Sequence, residues 1–268
     1  MAMKYCRFQS NGQAQYGLVE SVAGRESIVR ILLTPPEEAD GDMESLRTRK
    51  IDAIPLDEAT LLAPVRPSKI VCMGRNYREH AAELGNEVPV EPLIFLKLPS
   101  SLLPPGGTIR RPKISERVDF EGEIGVVIGK TCYQPPANAD IKQYILGYTC
   151  VNDVTMRDLQ KKDSQWTRAK GFDTSCPVGP IVTDEIDLWA GVGVETRVNG
   201  EVRQQGNTRD FIFSLDAVIR YIAQTITLLP GDLIPTGTPA GVGPLVAGDV
   251  VEVSVEGVGT LRNPVVDE

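Results

Sequence analysis

Short strand-like segments separated by turn signals recur along this chain, and they restrict its possible folds more than any other feature. Asn11-Gly12 and Asn199-Gly200 each separate two such segments, and Asn-Gly favours the positive φ angles of tight hairpin turns. Further strand-like segments cover residues 92–98, 118–128 and 144–152. The clearest amphipathic helix spans residues 213–224. Because helices do not alternate regularly with strands, a doubly wound sheet is disfavoured, and the sequence predicts a β-rich α+β fold.

A series of prolines punctuates the first quarter of the chain. Pro55, Pro64 and Pro67 punctuate the approach to the apolar segment Lys69–Gly74. The total length of 268 residues suits one large domain with a small companion. We therefore predict a small N-terminal β-rich domain over residues 1–67 and a larger domain over residues 68–268.

Composition excludes several classes of protein. The net charge of −8 argues against a general nucleic-acid or membrane-surface binder, since both need a basic surface. The single histidine, His80, excludes a zinc enzyme with several histidine ligands. The five cysteines are odd in number and show no CxxC spacing, which fits a reducing compartment. Since no stretch approaches the roughly 18 consecutive apolar residues of a membrane span, the sequence predicts a soluble cytoplasmic protein with neither nucleic acid nor membrane as a partner.

Alternating carboxylates mark the segment from Asp119 to Glu123. On a strand, Asp119, Glu121 and Glu123 share one face, while Phe120 points to the other. Such a face is either a divalent metal site or the solvated polar side of a half-exposed sheet. Asp153 follows a largely apolar run and can add a third ligand at a strand end. An all-oxygen ligand set fits Mg²⁺, Mn²⁺ or Ca²⁺ rather than Zn²⁺.

A short helix is predicted around the single histidine. Asn76 is placed to cap its start together with Glu79, and Gly85 to end it. His80 and Glu83 are three residues apart and share one face of this helix. A carboxylate beside an imidazole raises its basicity and helps to orient a water molecule. The alternative is an exposed helix on which the two residues are neighbours without a function.

Several basic and polar residues form a third group of candidates. Lys97 interrupts an apolar strand and must reach either water or an anion. Arg75, Gln160 and Lys170 are equally compatible with an ordinary surface position. The glycine-rich segment 236–243 lacks the lysine and hydroxyl residue of a phosphate-binding P-loop. Its backbone N–H groups can nevertheless face a carboxylate.

These elements, taken together and in this order, resemble the fumarylacetoacetate hydrolase family. The resemblance covers about residues 68–266. Each motif is weak by itself, whereas six motifs in the family's order are highly specific. The matching segments are Gly74–Tyr77 with His80 and Glu83, Phe95–Lys97, Asp119–Glu123, Gly147-Tyr148 with Asn152–Val154 and Arg157–Gln160, Lys170–Asp173 with Pro177–Pro180, and Thr236–Gly243.

The resemblance implies a metal site and an acid/base pair. Glu121, Glu123 and Asp153 match the family's ligands for Mg²⁺ or Mn²⁺. His80 and Glu83 match an acid/base dyad on a lid helix that orders over the bound substrate. The resemblance thus favours the functional interpretation of both groups over the structural one.

The resemblance also implies which residues meet the substrate. Lys170 matches the active-site lysine, with Gln160 nearby, and Thr238 matches the residue that contacts the substrate's carboxylate. Arg75 and Lys97 match motif positions and are expected to bind substrate. The implied fold is a β-rich roll of mixed sheets with a small N-terminal β domain, and the implied assembly is a homodimer.

The implied activity is Mg²⁺- or Mn²⁺-dependent cleavage of the C3–C4 bond of a short β-dicarbonyl 2-oxo acid. Hydrolysis of an acylpyruvate and decarboxylation of oxaloacetate both leave charge on an enolate, which a metal ion stabilises. A small anionic 2-oxo acid is therefore the expected partner. One alternative is an isomerase or tautomerase of oxaloacetate or of a hydroxymuconate-type diacid. Another is a metal-dependent binder of organic acids that has no turnover.

Overall fold

Strands dominate the fold, as the sequence predicts. The computed structural model describes residues 3–42, 46–83, 85 and 87–268. Within these residues the α-helices are short: α1 (Arg78–Glu83), α2 (Arg157–Lys162), α3 (Thr167–Lys170) and α4 (Leu215–Ala223). Turns of 3-10 helix cover Pro36–Ala39, Leu56–Glu58, Pro99–Ser101, Ile141–Tyr144 and Thr208–Asp210. No helix in this described part of the chain is long and apolar enough to span a membrane.

The strands follow one another in short runs along the whole chain. In chain order they are β1 (Lys4–Ser10), β2 (Gln13–Val22), β3 (Arg25–Leu32), β4 (Thr48–Pro55), β5 (Leu61–Leu62), β6 (Ile70–Gly74), β7 (Leu93–Lys97), β8 (Leu102–Leu103), β9 (Ile109–Arg111), β10 (Val118–Phe120), β11 (Gly122–Ile128), β12 (Ile145–Asn152), β13 (Thr155–Met156), β14 (Cys176–Thr183), β15 (Gly193–Val198), β16 (Glu201–Asn207), β17 (Leu233–Pro235), β18 (Gly243–Pro244), β19 (Val250–Val255) and β20 (Gly259–Asp267).

The strands form three sheets, and the largest contains strands from both sides of the predicted domain boundary at residue 67. Its order is β4-β3-β2-β1-β14-β12-β11-β17-β6-β7, with β5 beside β1 and β8 beside β14. A five-stranded sheet has the order β16-β15-β19-β20-β9, and a three-stranded sheet the order β13-β10-β18. Most pairs are antiparallel, but β17–β6, β20–β9 and β14–β8 are parallel. The mixed, β-rich fold class is thereby confirmed. The division at residue 67 stays a prediction.

Local signals predict the hairpins and the longest helix correctly. Asn11 and Gly12 both adopt positive φ angles between β1 and β2, and Asn199-Gly200 does the same between β15 and β16. The side-chain oxygen of Ser214 accepts a hydrogen bond from the N–H of Ala217 and caps α4. The apolar side of α4 packs into the main core, which lies between the large sheet and the five-stranded sheet.

The segment from Val118 to Ile128 is predicted as one strand, and this prediction is wrong. The structure divides it at Glu121, so that β10 pairs with β13 and β18 while β11 pairs with β12 and β17. At the break, the Glu121 N–H donates to Oδ1 of Asn152, and the Asp153 N–H donates to the Glu121 carbonyl. These contacts replace regular ladder bonds and let the chain pass from one sheet to another.

The register of the large sheet gathers several chain segments at one edge. Gly122 at the start of β11 pairs with Asn152 at the end of β12. Strand β17 pairs with β11 on one side and runs parallel to β6 on the other. The ends of β6, β12 and β17 therefore lie beside the start of β11, and the residues that follow these three strands are brought together.

Candidate active site

Three buried carboxylates meet at this edge of the sheet. Glu121, Glu123 and Asp153 each offer one oxygen, and these oxygens lie within 4.8 Å of one another. Glu121 occupies the break between β10 and β11, Glu123 lies on β11, and Asp153 follows β12. Asp119, predicted to share their face, instead accepts hydrogen bonds from Arg117 and Arg157. Crossing from one sheet to another at Glu121 separates Asp119 from the other carboxylates.

Two members of the trio have basic partners. Nζ of Lys170 donates to Glu121 and to Asp153, each at 2.7 Å. Burial raises the pKa of Glu121, but the charges of Lys170 and Arg157 outweigh this effect and hold the pKa well below its usual value. Burial lowers the pKa of Lys170, yet the charges of Asp153 and Glu121 raise it further than burial lowers it. Lys170 is therefore an ammonium that partly neutralises the trio.

Glu123 differs from its two neighbours because no basic side chain among the described residues pairs with it. One of its oxygens accepts a hydrogen bond from the Gly237 N–H at 2.8 Å. Burial and the charges of Asp153 and Glu121 raise the pKa of Glu123 well above 4.5. A buried carboxylate in this environment needs a further positive charge to stay ionised at neutral pH. The trio, with oxygen ligands only, therefore fits a hard divalent cation.

Lys97 lies behind Asp153 and is fully buried. Its ammonium donates to Oδ1 of Asp153 at 2.7 Å, to the carbonyl of Val154 at 3.3 Å and to the carbonyl of Lys170. The sequence predicts a substrate contact for Lys97. Its position in the structure instead suits a residue that holds Asp153 and the Lys170 backbone in place.

Arg157 belongs to the site, although the sequence motifs by themselves assign it no role. Its guanidinium donates to Asp119 at 2.9 Å, to Gln160 at 2.6 Å and to one oxygen of Glu121. Arg157 and Gln160 are three residues apart on α2, and this spacing predicts that their side chains are neighbours. Arg157 thus holds one carboxylate oxygen of Glu121, Oε1, while Lys170 holds the other, Oε2.

Substitution Arg157→Gln is expected to weaken Mn²⁺ binding by roughly 10- to 100-fold, because outer partners of a ligating carboxylate fix its orientation. Calorimetric titration of the metal-free protein with Mn²⁺ measures the effect. Arg117→Gln is the matched control, since Arg117 also pairs with Asp119, at 2.8 and 3.1 Å, but is half exposed and makes no described contact with Glu121. Equal losses in both variants would show that Arg157 acts only through Asp119.

The predicted acid/base pair is brought together on α1. Nδ1 of the buried His80 lies 3.4 Å from Oε2 of Glu83. Burial lowers the pKa of His80 below 6.5, and this effect outweighs the raising effects of Glu121 and Glu83. His80 is therefore neutral at pH 7 and able to accept a proton.

The predicted N-cap of α1 is wrong. The side chain of Asn76 accepts a hydrogen bond from the N–H of Phe213 at 2.9 Å and donates one to the carbonyl of Thr236 at 3.0 Å. Asn76 is fully buried, and these backbone groups satisfy its amide in place of the helix start. The chain just before α1 is thereby tied to the glycine-rich loop.

The glycine-rich loop contacts both the dyad and the trio. The Gly241 N–H donates to both carboxylate oxygens of Glu83, at 3.0 and 3.2 Å. Gly241 has a φ of +102°, and a Cβ there would lie 1.9 Å from the Arg203 carbonyl oxygen, so this position requires glycine. The Thr238 hydroxyl donates to the Gly122 carbonyl at 2.8 Å and accepts from Gln204 at 2.7 Å.

One cavity of about 490 Å³ unites these groups. Of the ten predicted site residues, eight line it, whereas the buried Lys97 and Asp153 are not among its lining residues. Met73, Phe95 and Trp166 add an apolar surface, and the rings of Phe95 and Trp166 meet edge to face at 5.5 Å. The cavity can therefore hold a small organic anion beside a carboxylate cluster and a neutral histidine.

Two family descriptions match the sequence. The model described as fumarylacetoacetate (FAA) hydrolase C-terminal matches residues 69–266. A second model, described as Rv2993c-like, N-terminal, matches residues 3–64.

Individual proteins of known name are also similar to this chain. Oxaloacetate tautomerase YisK of Bacillus subtilis is 40% identical over 79% of this chain and 76% of its own length. A 2,4-didehydro-3-deoxy-L-rhamnonate hydrolase of Sphingomonas sp. is 38% identical over 98% of this chain and 96% of its own length. Among solved structures, a 2-hydroxyhepta-2,4-diene-1,7-dioate isomerase from Mycobacterium marinum aligns with a TM-score of 0.87 and 40% identity over 99% of each chain. These relatives carry the names of different reactions.

Proposed function

The chain belongs to the fumarylacetoacetate hydrolase family, and we propose on this basis that it cleaves the C3–C4 bond of short β-dicarbonyl 2-oxo acids with the aid of Mg²⁺ or Mn²⁺. Acylpyruvate hydrolysis and oxaloacetate decarboxylation are the two forms of this reaction. The observation that carries the proposal is that the carboxylate cluster and a neutral His80 paired with Glu83 meet at one and the same cavity.

Glu121, Glu123 and Asp153 are the residues that would hold the cation. When bound, the metal supplies a Lewis acid for the negative charge that develops on the 2-oxo acid. Lys170 adds an ammonium group on the same wall of the cavity, which further favours an anionic substrate. The hydroxyl hydrogen of Thr238 is engaged with Gly122, so a backbone N–H of the loop is the group that would meet a substrate carboxylate.

His80 and Glu83 supply the proton transfer. In acylpyruvate hydrolysis, His80 takes a proton from water, and the water oxygen attacks the carbonyl carbon C4. The C3–C4 bond breaks, its electron pair forms the enolate of pyruvate, and the proton is delivered to C3. Glu83 holds the Nδ1–H tautomer of His80, leaving Nε2 free to act as the base. The products are pyruvate and the carboxylic acid of the acyl chain.

The purified protein is expected to release pyruvate from acetylpyruvate or oxaloacetate when Mg²⁺ or Mn²⁺ is supplied, and EDTA is expected to abolish the release. Coupling pyruvate to an NADH-consuming dehydrogenase provides the measurement. Boiled protein and metal in buffer alone control for the spontaneous decay of both acids. Metal-dependent oxalate binding without turnover of any 2-oxo acid would contradict the proposal and indicate a binding protein.

A second candidate function is tautomerisation of oxaloacetate or isomerisation of a related diacid. The relative that is named oxaloacetate tautomerase favours it. Such a reaction needs only proton transfer at C3, for which His80 and Lys170 are the candidates in the cavity. Enol absorbance and pyruvate release, followed in the same sample, separate the two functions. Enol decay that is much faster than pyruvate release would favour the tautomerase.

The cytoplasm is the proposed location, and a homodimer is the proposed assembly. All five cysteines are free and buried, which suits a reducing compartment. Size-exclusion chromatography with light scattering tests the assembly.

A further inference from the structure

A buried glutamine outside the cavity connects two parts of its lining. Gln204 lies on β16 of the five-stranded sheet and is 1% exposed. It is not among the residues that line the cavity. Its side chain nevertheless reaches both the strand of the proposed metal ligands and the glycine-rich loop.

The amide oxygen of Gln204 holds the metal-ligand strand. It accepts a hydrogen bond from the Gly122 N–H at 2.9 Å. Gly122 lies between Glu121 and Glu123 in the chain, so this contact fixes the backbone that presents both carboxylates. A Cβ at Gly122 would lie 1.9 Å from Oγ1 of Thr196, so glycine is what allows the five-stranded sheet to come this close.

The amide nitrogen of Gln204 holds the glycine-rich loop. It donates to the Thr238 hydroxyl at 2.7 Å and to the Pro239 carbonyl at 2.8 Å. The Thr238 hydroxyl in turn donates to the Gly122 carbonyl at 2.8 Å. Gln204, Thr238 and Gly122 thus close a ring of hydrogen bonds that joins the loop to β11.

An amide supplies what these contacts require. The Gly122 N–H can only donate and the Pro239 carbonyl can only accept, so the orientation of the Gln204 amide is determined. An ionised carboxylate at this position would lack both donors. An apolar side chain would leave the buried Gly122 N–H without a partner.

The backbone of β16 supports the same loop. A Cβ at Gly241 would lie 1.9 Å from the Arg203 carbonyl oxygen, and a Cβ at Gly206 would lie 2.7 Å from Cβ of Pro239. The loop therefore rests directly on the strand that carries Gln204.

The loop held in this way contacts both functional groups of the cavity. Its N–H groups at Gly237 and Gly241 donate to Glu123 and Glu83. A further N–H of the loop is the group proposed above to meet the substrate carboxylate. Misplacement of such a binding element by about 1 Å can lower activity roughly 100-fold, even when the change begins far from the chemistry.

We propose that Gln204 is a positioning residue, which holds the glycine-rich loop at a fixed distance from the metal-ligand strand and so places the substrate carboxylate relative to the cation. This inference rests on the proposed function, which makes the loop the binding site of that carboxylate. Gln204 itself contacts neither the substrate nor the cation.

Substitution Gln204→Met tests this role, since methionine is similar in length but makes none of these hydrogen bonds. In calorimetry with saturating Mn²⁺, the dissociation constant of oxalate is expected to rise roughly 10- to 100-fold, and the KM for acetylpyruvate to rise with it. The affinity for Mn²⁺ is expected to stay unchanged, because Glu121, Glu123 and Asp153 keep their other partners. A merely structural role would lower the melting temperature without this separation of oxalate from Mn²⁺ binding.

Gln205→Met is the matched control, because Gln205 is the exposed neighbour of Gln204 on β16. It is expected to retain the affinity for oxalate. Thermal unfolding verifies that each variant is folded at the temperature of the measurement.

Thr238→Val provides a second test, because it removes the hydroxyl at the other end of the link. It is expected to weaken oxalate binding as well, and Gln204→Met is expected to cause a smaller further loss in this background than in the unmodified protein. Independent losses in the double variant would overturn the positioning role. So would an unchanged oxalate affinity in Gln204→Met, or failure of the unmodified protein to bind oxalate.

Oxalate is bound without being cleaved, so this test does not depend on turnover. If no 2-oxo acid releases pyruvate while oxalate binding depends on Gln204, the proposed function is overturned and the positioning role stands. If pyruvate is released and Gln204→Met binds oxalate normally, the positioning role alone is overturned.

Discussion

Substitution Glu123→Gln is expected to lower pyruvate release by about 1000-fold or more, because it removes a negatively charged ligand from the proposed metal site. Glu123 is the member of the trio without a described basic partner, so it depends on the cation more than Glu121 or Asp153 does. Glutamine keeps the shape of the side chain and an oxygen that accepts the Gly237 N–H. The loss is therefore one of charge rather than of packing.

The same substitution is expected to have the opposite effect on the stability of the metal-free protein. The pKa of Glu123 is raised in the folded protein above its ordinary value, so an ionised Glu123 lowers the free energy of unfolding at neutral pH. Glu123→Gln removes this penalty, and its metal-free melting temperature is expected to equal or exceed that of the unmodified protein.

Thermal unfolding without Mn²⁺ measures the change in metal-free stability, and unfolding with Mn²⁺ measures the loss of metal binding. A cation at 100 times its dissociation constant stabilises the folded state by about 2.7 kcal/mol, which the unmodified protein is expected to gain and Glu123→Gln to lack. Glu256→Gln is the matched control, because Glu256 is exposed and also accepts a backbone N–H, that of Gly193. Full Mn²⁺ stabilisation of Glu123→Gln would place the cation elsewhere.

Local sequence signals account for much of the fold. The Asn-Gly pairs determine the β1–β2 and β15–β16 hairpins, and the apolar stripe beginning after Ser214 determines α4. These features depend on residues within a few positions of one another, so the sequence alone contains the information.

The sheet crossing at Glu121 depends on contacts distant in the sequence. Asn152 receives the Glu121 N–H, and β18, more than 100 residues further on, pairs with β10. The alternation of residues 118–128 fits one continuous strand equally well, and nothing nearby marks the break. The prediction of the carboxylate face was therefore correct for Glu121 and Glu123 but not for Asp119.

The partners of buried polar side chains could not be predicted from the sequence either. Asn76 has the residue type and spacing of a helix cap, yet its partners Phe213 and Thr236 lie about 140 and 160 residues away. Arg157 likewise acts on Asp119 and Glu121 through the fold. A buried polar group takes whichever partner the tertiary structure provides, and local propensity gives way to this requirement.

Substitution His80→Gln is expected to lower acetylpyruvate hydrolysis by about 100- to 10,000-fold, the usual contribution of general-base catalysis. His80 is the only histidine in the chain, so no second imidazole can replace it. The affinity for Mn²⁺ is expected to stay unchanged, because the proposed ligands are carboxylates. Glu79→Gln, an exposed change on the same helix, is the matched control and is expected to retain activity.

The pH profile gives an independent measure of the same residue. Burial lowers the pKa of His80 below 6.5, although Glu121 and Glu83 act to raise it. Because the base must be neutral, kcat/KM for hydrolysis is expected to rise with pH below 6.5 and to level off above it. In His80→Gln this ascending limb is expected to disappear from the residual rate. A limb that persists unchanged would assign the titration to another group.

Oxaloacetate distinguishes a base from a residue that only shapes the cavity. Decarboxylation consumes no water, so a group whose task is to activate water is dispensable for that step. His80→Gln is therefore expected to slow acetylpyruvate hydrolysis far more than oxaloacetate decarboxylation, when both rates are measured as pyruvate release at saturating Mn²⁺. If both rates fall equally, His80 contributes to a step common to the two reactions, such as delivery of the proton to C3. Water activation by the His80–Glu83 pair would then be the wrong assignment, while the carboxylate site would be unaffected.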